Sequence, residues 1–329
     1  MKNKVLLTGA FGNVGQNTLK QLLKQEYEVT CFDLQNSANK KALKKLSKKW
    51  QFKTIWGNIL NTDDVSKAIE GIDTIIHLAA IIPPFSEKNP ELARKVNVEG
   101  TQNLINAAKM LERKPRFIMA SSVSVFGPTM HLEPPRRVDD PLNPSDHYSR
   151  SKVECEKMLR ESGLPWMILR LGAVSAEKGS LELISILFDI PLEQRTEFIS
   201  SIDCGIAFTN AATLDQTDKI FLIGGGENCQ LIGKDFLTRF LDAFGLRLPS
   251  EKAFKKPLNK EDWFYIDWLD TKESQEALEF QTETFQQFVD RIKRSHRFRR
   301  LGIKIISPLA NLVLLRKSPY YKRSNDNIA

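Results

Sequence analysis

The stretch Thr8-Gly9-Ala10-Phe11-Gly12-Asn13-Val14-Gly15 is the strongest indication of the fold. This stretch follows a short apolar run, residues 4–8, and precedes a segment whose leucines recur at helical spacing. Glycines at positions 9, 12 and 15 keep Cβ atoms out of a tight turn, so the backbone can approach a pyrophosphate at the N-terminus of the helix. The stretch therefore predicts a buried strand, a phosphate-binding turn and a helix, in that order.

An acidic residue ends the second predicted strand, residues 27–34. Asp33 lies eighteen residues beyond Gly15, where a carboxylate hydrogen-bonds the ribose 2′-hydroxyl of a dinucleotide and repels a 2′-phosphate. The pattern favours NAD over NADP. A stripe of lysines follows, which we interpret as a solvated helix face, with a phosphate-attracting role for one of them left open: Lys40, Lys41, Lys44, Lys45, Lys48 and Lys49.

Short apolar runs alternate with helical segments through the first half of the chain. The strand candidates are residues 4–8, 27–34, 54–56, 74–78, 116–120 and 166–171. This alternation predicts an α/β fold, a Rossmann-type doubly wound parallel sheet. We place an NAD-binding domain at residues 1–175, with a return to the sheet at 205–225. A smaller substrate-binding lobe follows at 176–290, and a basic apolar tail at 291–329.

A tyrosine and a lysine lie four residues apart, which puts both on one face of a helix. These are Tyr148 and Lys152. A cation beside a phenol favours the phenolate, so we expect Lys152 to lower the pKa of Tyr148. Upstream, Ser121 and Ser122 end an apolar strand at the sheet edge where open α/β folds bind ligands. Together with the glycine turn, this order predicts a dinucleotide-dependent active site.

These motifs resemble the extended short-chain dehydrogenase/reductase family, specifically its NAD-dependent epimerase/dehydratase branch. The resemblance spans about residues 1–290 and adds, to the features above, the segments Gly57-Asn58-Ile59, His77-Leu78-Ala79-Ala80, Asn97-Val98-Glu99-Gly100-Thr101 and Leu169-Arg170-Leu171-Gly172. It implies the catalytic residues Ser122, Tyr148 and Lys152. It also implies an NAD site formed by Gly9, Phe11, Gly12, Asn13, Val14, Gly15, Asp33, Asn58, Ile59, Ala79, Ala80, Asn97, Tyr148 and Lys152.

The resemblance also implies the reaction. Tyr148 would act as the general base on a substrate hydroxyl, and Lys152 would hold the nicotinamide ribose and tune Tyr148. Ser122 would hydrogen-bond the reacting oxygen. The expected activity is that of an NAD-dependent oxidoreductase or epimerase acting on a secondary hydroxyl. The alternative is a protein that senses NAD(P) or serves as a scaffold without chemistry; relatives of that kind commonly lack the Tyr/Lys pair.

Three features depart from the pattern of sugar-nucleotide enzymes in this family. An Asp-Glu pair performs 4,6-dehydration in such enzymes, whereas Val123 and Ser124 stand here. The diphosphate-binding arginine is replaced by Thr196, with Arg195 adjacent. Arg170, at the end of a predicted strand, is followed by Leu171, Gly172 and Ala173, where such enzymes usually have an asparagine. These departures disfavour a 4,6-dehydratase and weaken a nucleotide-sugar substrate, so the substrate is expected to be sugar-derived or lipid- or steroid-like.

The net charge of +8 is concentrated at the C-terminus. Residues 291–329 hold eleven of the 48 Lys and Arg residues and one of the 40 acidic residues, a net of +10, which leaves −2 for residues 1–290. Ser307-Pro308 reads as the start of a helix, and the apolar run 301–315 is too short to span a bilayer. Two interpretations stay open: contact with an anionic membrane surface, or docking on the body or on a second subunit.

The predicted partners are therefore a small-molecule substrate, an anionic membrane surface reached through the tail, and a second copy of the chain in a homodimer. Nucleic acid is not predicted, because the cations of the tail flank aliphatic residues. The four cysteines show no C-x-x-C spacing and the four histidines no metal-ligand spacing, so no metal is expected. The expected localisation is the cytoplasm, with peripheral association at a membrane as the interpretation that the tail leaves open.

Overall fold

Seven parallel strands form the main sheet of the computed structural model, which describes residues 3–174 and 186–321. The strands are β1 (Lys4–Thr8), β2 (Glu28–Asp33), β3 (Lys53–Trp56), β4 (Thr74–His77), β5 (Arg116–Ser122), β6 (Trp166–Leu171) and β9 (Lys219–Ile223). The strand order is β3-β2-β1-β4-β5-β6-β9, and each neighbouring pair is parallel. The predicted Rossmann-type fold is thereby confirmed.

Helices cover both faces of this sheet. Within β1, Val5 and Leu7 point into one apolar core while Leu6 points into another, and all three are fully buried. A strand covered on both sides needs a continuous apolar run, which is what residues 4–8 provide. The helices outside the C-terminal lobe are α1 (Asn13–Lys24), α2 (Ser37–Leu46), α3 (Thr62–Ile69), α4 (Phe85–Lys88), α5 (Pro90–Arg94), α6 (Gly100–Met110), α7 (His147–Arg160) and α8 (Ser201–Ala211).

The helix predicted over residues 92–110 is interrupted. A π-helical turn at Lys95–Glu99 separates α5 from α6. The side chain of Asn97, within this turn, points inward and forms two hydrogen bonds with the backbone of Ile81. A sequence periodicity of 3.6 residues does not distinguish this turn from regular helix.

The C-terminal lobe surrounds a small sheet of β7 (Ala173–Val174), β8 (Arg195–Ile199) and β10 (Gln230–Ile232). Its core is aromatic: the ring of Phe198 lies 4.7 Å from that of Phe288 and 5.1 Å from that of Phe285. The lobe's helices are α9 (Gly233–Ala243), α10 (Lys272–Leu278) and α11 (Phe285–Ser295). The apolar composition of residues 182–190 predicts a segment that packs over the substrate. Residues 182–185 lie outside the described residues, whereas Phe188 and Ile190 are buried in the core of the lobe.

Residues 291–295 of the tail end α11, and a further helix, α12 (Arg297–Lys317), follows. The prediction that this helix begins at Ser307-Pro308 is wrong, because α12 already starts ten residues earlier. Contacts with the lobe stabilise this earlier part: Arg300 donates to Asp242, and Gly245 packs against the backbone of Arg300. Tertiary packing here outweighs the local capping signal. Among the described helices, none combines the length and the hydropathy needed to cross a bilayer.

Candidate active site

The glycine turn joins β1 to α1 in a conformation that side chains would block. Gly9 has φ +64°, and a Cβ on this residue would lie 2.8 Å from the backbone nitrogen of Ala79. A Cβ on Gly15 would lie 2.1 Å from the carbonyl oxygen of Gly9. Gly12 occupies the N-cap of α1 and brings no side-chain cap to its first turn. The turn therefore fits a pyrophosphate, whose charge the open helix N-terminus favours.

Asp33 stands at the end of β2, next to this turn. Its Oδ2 accepts a hydrogen bond from the Phe11 amide at 3.0 Å. Its Oδ1 accepts from the Leu34 amide at 2.8 Å and from Asn39 Nδ2 at 3.0 Å. Burial raises the pKa of Asp33, while these hydrogen bonds oppose the rise. The carboxylate is held in place at the position the sequence predicts for the ribose contact. The partner Asn39 was not predicted.

The two residues expected beside the adenine differ in exposure. Asn58 is exposed, and its Oδ1 accepts from the Leu60 amide at 3.0 Å. Ile59 is buried against α6, where a Cβ on Gly100 would lie 2.6 Å from its Cγ2. Asn58 is thus accessible beyond the end of β3, whereas Ile59 packs mainly on the protein. Contact of either residue with adenine stays a prediction.

The segment after β4 supplies Ala79 and Ala80, both half-buried. The Ala79 amide donates to Thr8 Oγ1 at 3.2 Å, which ties this segment to the end of β1. Asn97 is buried and its amide pairs with Ile81: Oδ1 accepts from the Ile81 amide at 2.7 Å, and Nδ2 donates to the Ile81 carbonyl at 2.9 Å. Asn97 therefore shapes the segment that faces the glycine turn, and its direct contact with NAD stays a prediction.

His77 links the elements of this region through a buried network. Thr101 Oγ1 donates to the Asn97 carbonyl at 2.5 Å, so this oxygen must accept from His77 Nε2, which lies 2.9 Å away. His77 Nδ1 is then the acceptor for Thr8 Oγ1 at 2.7 Å. Burial lowers the pKa of His77 to about 3, with the charge of Lys152 adding to the effect. The neutral Nε2–H tautomer follows from the geometry.

Tyr148 and Lys152 lie on one face of α7, as predicted. Lys152 is buried, its Nζ donates to the Ala120 carbonyl of β5 at 2.8 Å, and it lies 5.6 Å from the centroid of the Tyr148 ring. The N-terminus of α7 is fixed by a capping box of Asp146 and Ser149. Capping and the β5 contact together set the position of the Tyr/Lys pair at the carboxyl edge of the sheet.

The expected lowering of the Tyr148 pKa is not what the structure gives. Burial raises the pKa of Tyr148 above its usual value of 10, with Asp146 and Cys155 adding to the rise. Burial also lowers the pKa of Lys152, against the opposing charges of Cys155 and Glu156. The cost of burying the charged phenolate thus outweighs its attraction to the Lys152 cation. The prediction from sequence takes only the cation into account.

Ser122 ends β5, and its Oγ accepts from the Ser124 amide at 3.1 Å. Val123 is buried, and the Ser124 hydroxyl is buried without a hydrogen-bond partner among the described residues. Neither side chain supplies a carboxyl group. Within residues 3–174 and 186–321, no three His, Cys, Asp or Glu side chains converge in a way that could hold a metal ion.

Glu87, in α4, is a site residue that the sequence reasoning missed. Its carboxylate accepts from the backbone amides of His147 at 3.1 Å and Tyr148 at 3.2 Å. A negative charge at this place also complements the N-terminus of α7. No local motif marks the residue, because the contact joins positions about sixty apart in sequence.

Arg195, considered as a substitute for the missing diphosphate-binding arginine, is already paired. Its Nε and Nη2 donate to the two carboxylate oxygens of Asp267 at 2.6 and 3.0 Å. Asp267 is buried and also lies 3.7 Å from Arg136 Nε. Thr196 is fully buried. The positive charge of Arg195 is therefore neutralised within the lobe.

Solved structures share this fold. The UDP-glucuronic acid 4-epimerase of Bacillus cereus, in complex with UDP-glucuronic acid and NAD, is 23% identical with a TM-score of 0.72, and the match covers 89% of this chain and 99% of that one. A dTDP-glucose 4,6-dehydratase from Streptomyces venezuelae, with NAD bound, is 21% identical with a TM-score of 0.72, covering 89% and 98%. At these identities the likeness concerns the fold alone.

Curated relatives match the N-terminal half of the chain. A 3-beta-hydroxysteroid dehydrogenase of Mycolicibacterium neoaurum is 33% identical over 161 residues, and 3 beta-hydroxysteroid dehydrogenase type 7 of Rattus norvegicus is 31% identical over 159. Each match covers 47% of this chain, and 42% and 46% of those proteins. The chain thus spans less than half the length of these relatives. The model of one family matches residues 5–185, which include the glycine turn and the Tyr/Lys pair, and the chain belongs to that family, the NAD dependent epimerase/dehydratase family.

Proposed function

We propose that this protein is an NAD-dependent oxidoreductase or epimerase that acts on a secondary hydroxyl. The observation that carries the proposal is the position of Lys152 at the carboxyl edge of the sheet. Its Nζ lies 2.8 Å from the Ala120 carbonyl oxygen and 5.6 Å from the centroid of the Tyr148 ring. The glycine turn and Asp33 lie at the same edge, where ligands of open α/β folds bind. Family membership supports the cofactor class.

The chain's own residues fit NAD. The turn at Gly9, Gly12 and Gly15 would hold the pyrophosphate, and Asp33 would accept a hydrogen bond from the ribose 2′-hydroxyl. NADP would place a phosphate against the same carboxylate, so it is disfavoured. When bound, NAD supplies the hydride acceptor or donor, which no amino-acid side chain provides.

Tyr148 would move the proton. Its raised pKa keeps the phenol protonated at neutral pH, so in the reducing direction Tyr148 Oη donates its proton to the carbonyl oxygen of the substrate. In the oxidising direction Oη accepts the hydroxyl proton, a step that the Lys152 ammonium favours electrostatically. Ser122 Oγ would donate a hydrogen bond to the same substrate oxygen, which stabilises the charge that develops there.

The lobe favours a substrate without a diphosphate. Thr196 offers no positive charge, and that of Arg195 is neutralised by Asp267. Val123 and Ser124 carry no carboxyl group, so water elimination is not proposed. We therefore place a neutral lipid- or steroid-like alcohol ahead of a nucleotide sugar. The steroid dehydrogenases among the relatives support this order.

A substrate panel tests the proposal. NAD-loaded protein is incubated with 3β-hydroxysteroids, long-chain secondary alcohols and UDP-sugars, and NADH formation and epimer formation are followed separately. We expect NADH to form with a neutral alcohol. NAD binding without turnover of any member would instead support an NAD-sensing protein.

Two further interpretations of the sequence, a homodimer and contact with an anionic membrane surface, stay predictions that this panel does not test.

A further inference from the structure

One face of α12 packs on the C-terminal lobe. Leu314 is buried in the lobe core, and Arg300 Nη2 donates to Asp242 Oδ1 at 2.9 Å. Just beyond the helix, Ser318 Oγ donates to the Ala253 carbonyl at 2.5 Å. Tyr320 Oη donates to Asp189 at 2.6 Å. These contacts fix the rotation of α12 about its own axis, and so decide which side of the helix faces away from the protein.

The side that faces away is apolar. Four large side chains on it are exposed by more than half: Phe298 by 86%, Ile305 by 82%, Leu312 by 56% and Leu301 by 55%. At about 100° per residue, positions 298, 301, 305 and 312 fall on one side of the helix, opposite Leu314. We call these four residues the apolar stripe. An exposed stripe of this kind indicates an interaction surface.

Cations lie beside the apolar stripe and at its C-terminal end. By the same geometry Arg297 and Lys304 lie along one edge, and Arg316 lies on the stripe side itself, near the end of the helix. Arg299 and Lys317 lie farther round the other side, about 100° beyond the stripe. Lys304 lies 3.9 Å from Asp242 and is still half exposed, and the other four are exposed. No Asp or Glu occurs in the sequence from 297 to 321. The helix therefore combines exposed apolar side chains with charges of one sign.

We propose that α12 binds the surface of an anionic lipid bilayer, lying in the plane of the membrane with the apolar stripe inserted among the acyl chains. Charge complementarity selects this occupant, because headgroups surround an inserted helix and can neutralise the cations on and beside the stripe. A second copy paired through the same stripe would bring these cations together instead. Leu314 and Arg300 hold one face of this 21-residue helix on the lobe, so only the opposite face can contact the bilayer, which requires an in-plane position.

Vesicle sedimentation with the full chain tests the proposal. The probes are vesicles of phosphatidylcholine alone and vesicles that also contain phosphatidylserine. We expect binding to the anionic vesicles only, weakened by salt. The variant Phe298→Ser/Ile305→Ser should reduce this binding about tenfold or more. Its matched control is Met110→Ser/Leu258→Ser, which removes two exposed apolar side chains elsewhere and should change binding by less than about twofold.

A charge variant gives a second, independent readout. Arg297→Glu/Arg299→Glu should also reduce binding about tenfold or more, whereas Lys40→Glu/Lys44→Glu, on the exposed face of α2, should leave most of it intact. Unchanged vesicle binding by both tail variants would overturn the proposal. So would a lipid-free dimer of the wild-type chain that Phe298→Ser/Ile305→Ser dissociates, because a second copy would then cover the stripe.

Discussion

Glu156 and Arg170 form a buried, bidentate ion pair one helical turn away from Lys152. Arg170 Nε and Nη2 donate to the two carboxylate oxygens of Glu156 at 3.0 and 2.8 Å, and Ser121 Oγ donates to Glu156 Oε1 at 2.6 Å. Both charged side chains are 2% exposed. Glu156 lies one helical turn after Lys152, so the pair joins α7 to strands β5 and β6 beside the Tyr/Lys pair.

Removal of one partner should therefore be costly. We expect Glu156→Ala to lower the free energy of unfolding by about 3–5 kcal/mol, because Arg170 would keep a buried charge without its partner. Urea-induced unfolding measures the change. Glu154→Ala, on the exposed side of the same helix, removes a surface pair with Arg94 and should cost less than about 1 kcal/mol. Equal losses for the two variants would contradict this assignment.

The carboxylate of Asp33 should decide which dinucleotide binds. Asp33→Ser removes the repulsion of a 2′-phosphate and the acceptor for the 2′-hydroxyl, so the ratio of NAD to NADP affinity should fall by about tenfold or more. Titration of both dinucleotides by protein fluorescence measures this ratio. Glu112→Ser, which removes an exposed carboxylate at the other end of the sheet, should leave the ratio as it is. A preference for NAD that survives Asp33→Ser would show that another group selects the cofactor.

His77 should make stability depend on pH in the acidic range. The folded chain keeps His77 neutral, with its pKa lowered to about 3, whereas the unfolded chain binds a proton near pH 6.5. Below pH 6.5 the unfolded state therefore holds more protons, and stability falls as the pH falls. Between pH 6.5 and 5 the loss due to His77 is about 2 kcal/mol.

The non-titrating variant His77→Gln isolates this contribution. It should be less stable than the wild type at pH 7, because it cannot serve both Thr8 and Thr101 as the imidazole does. Its stability should fall less between pH 6.5 and 5 than that of the wild type, as measured by denaturant unfolding at each pH. Parallel pH profiles for the two proteins would rule out the buried neutral histidine.

The sequence predicts the glycine turn, Asp33 and the Tyr/Lys pair well because each depends on neighbours in the chain. The turn needs small residues at fixed offsets, and a spacing of four residues places Tyr148 and Lys152 on one helix face. Glu87, Asn39 and the acceptor role of Asn97 toward Ile81 depend on packing between separate elements, which a single sequence does not encode in a local pattern. The predicted lowering of the Tyr148 pKa is wrong for a related reason, since burial depends on the tertiary structure.

In the tail too, local features are predicted from the sequence and features that depend on tertiary contacts are not. The composition and the flanking cations predict an amphipathic segment. The start of α12 is not predicted, because the local signal at Ser307-Pro308 competes with contacts such as Arg300–Asp242 that form only on the folded lobe. Which side of the helix is exposed likewise depends on the docking of Leu314.

The proposed proton transfer by Tyr148 in an NAD-dependent reaction is tested most directly by the variant Tyr148→Phe. Turnover of the substrate identified in the panel and affinity for NAD are measured on the same protein preparation. The proposal predicts that kcat/KM falls about a hundredfold to ten-thousandfold, the usual contribution of a general acid–base group. The NAD dissociation constant should change by less than about twofold, because the pyrophosphate and ribose contacts lie elsewhere. Turnover that stays near the wild-type value would contradict the claim.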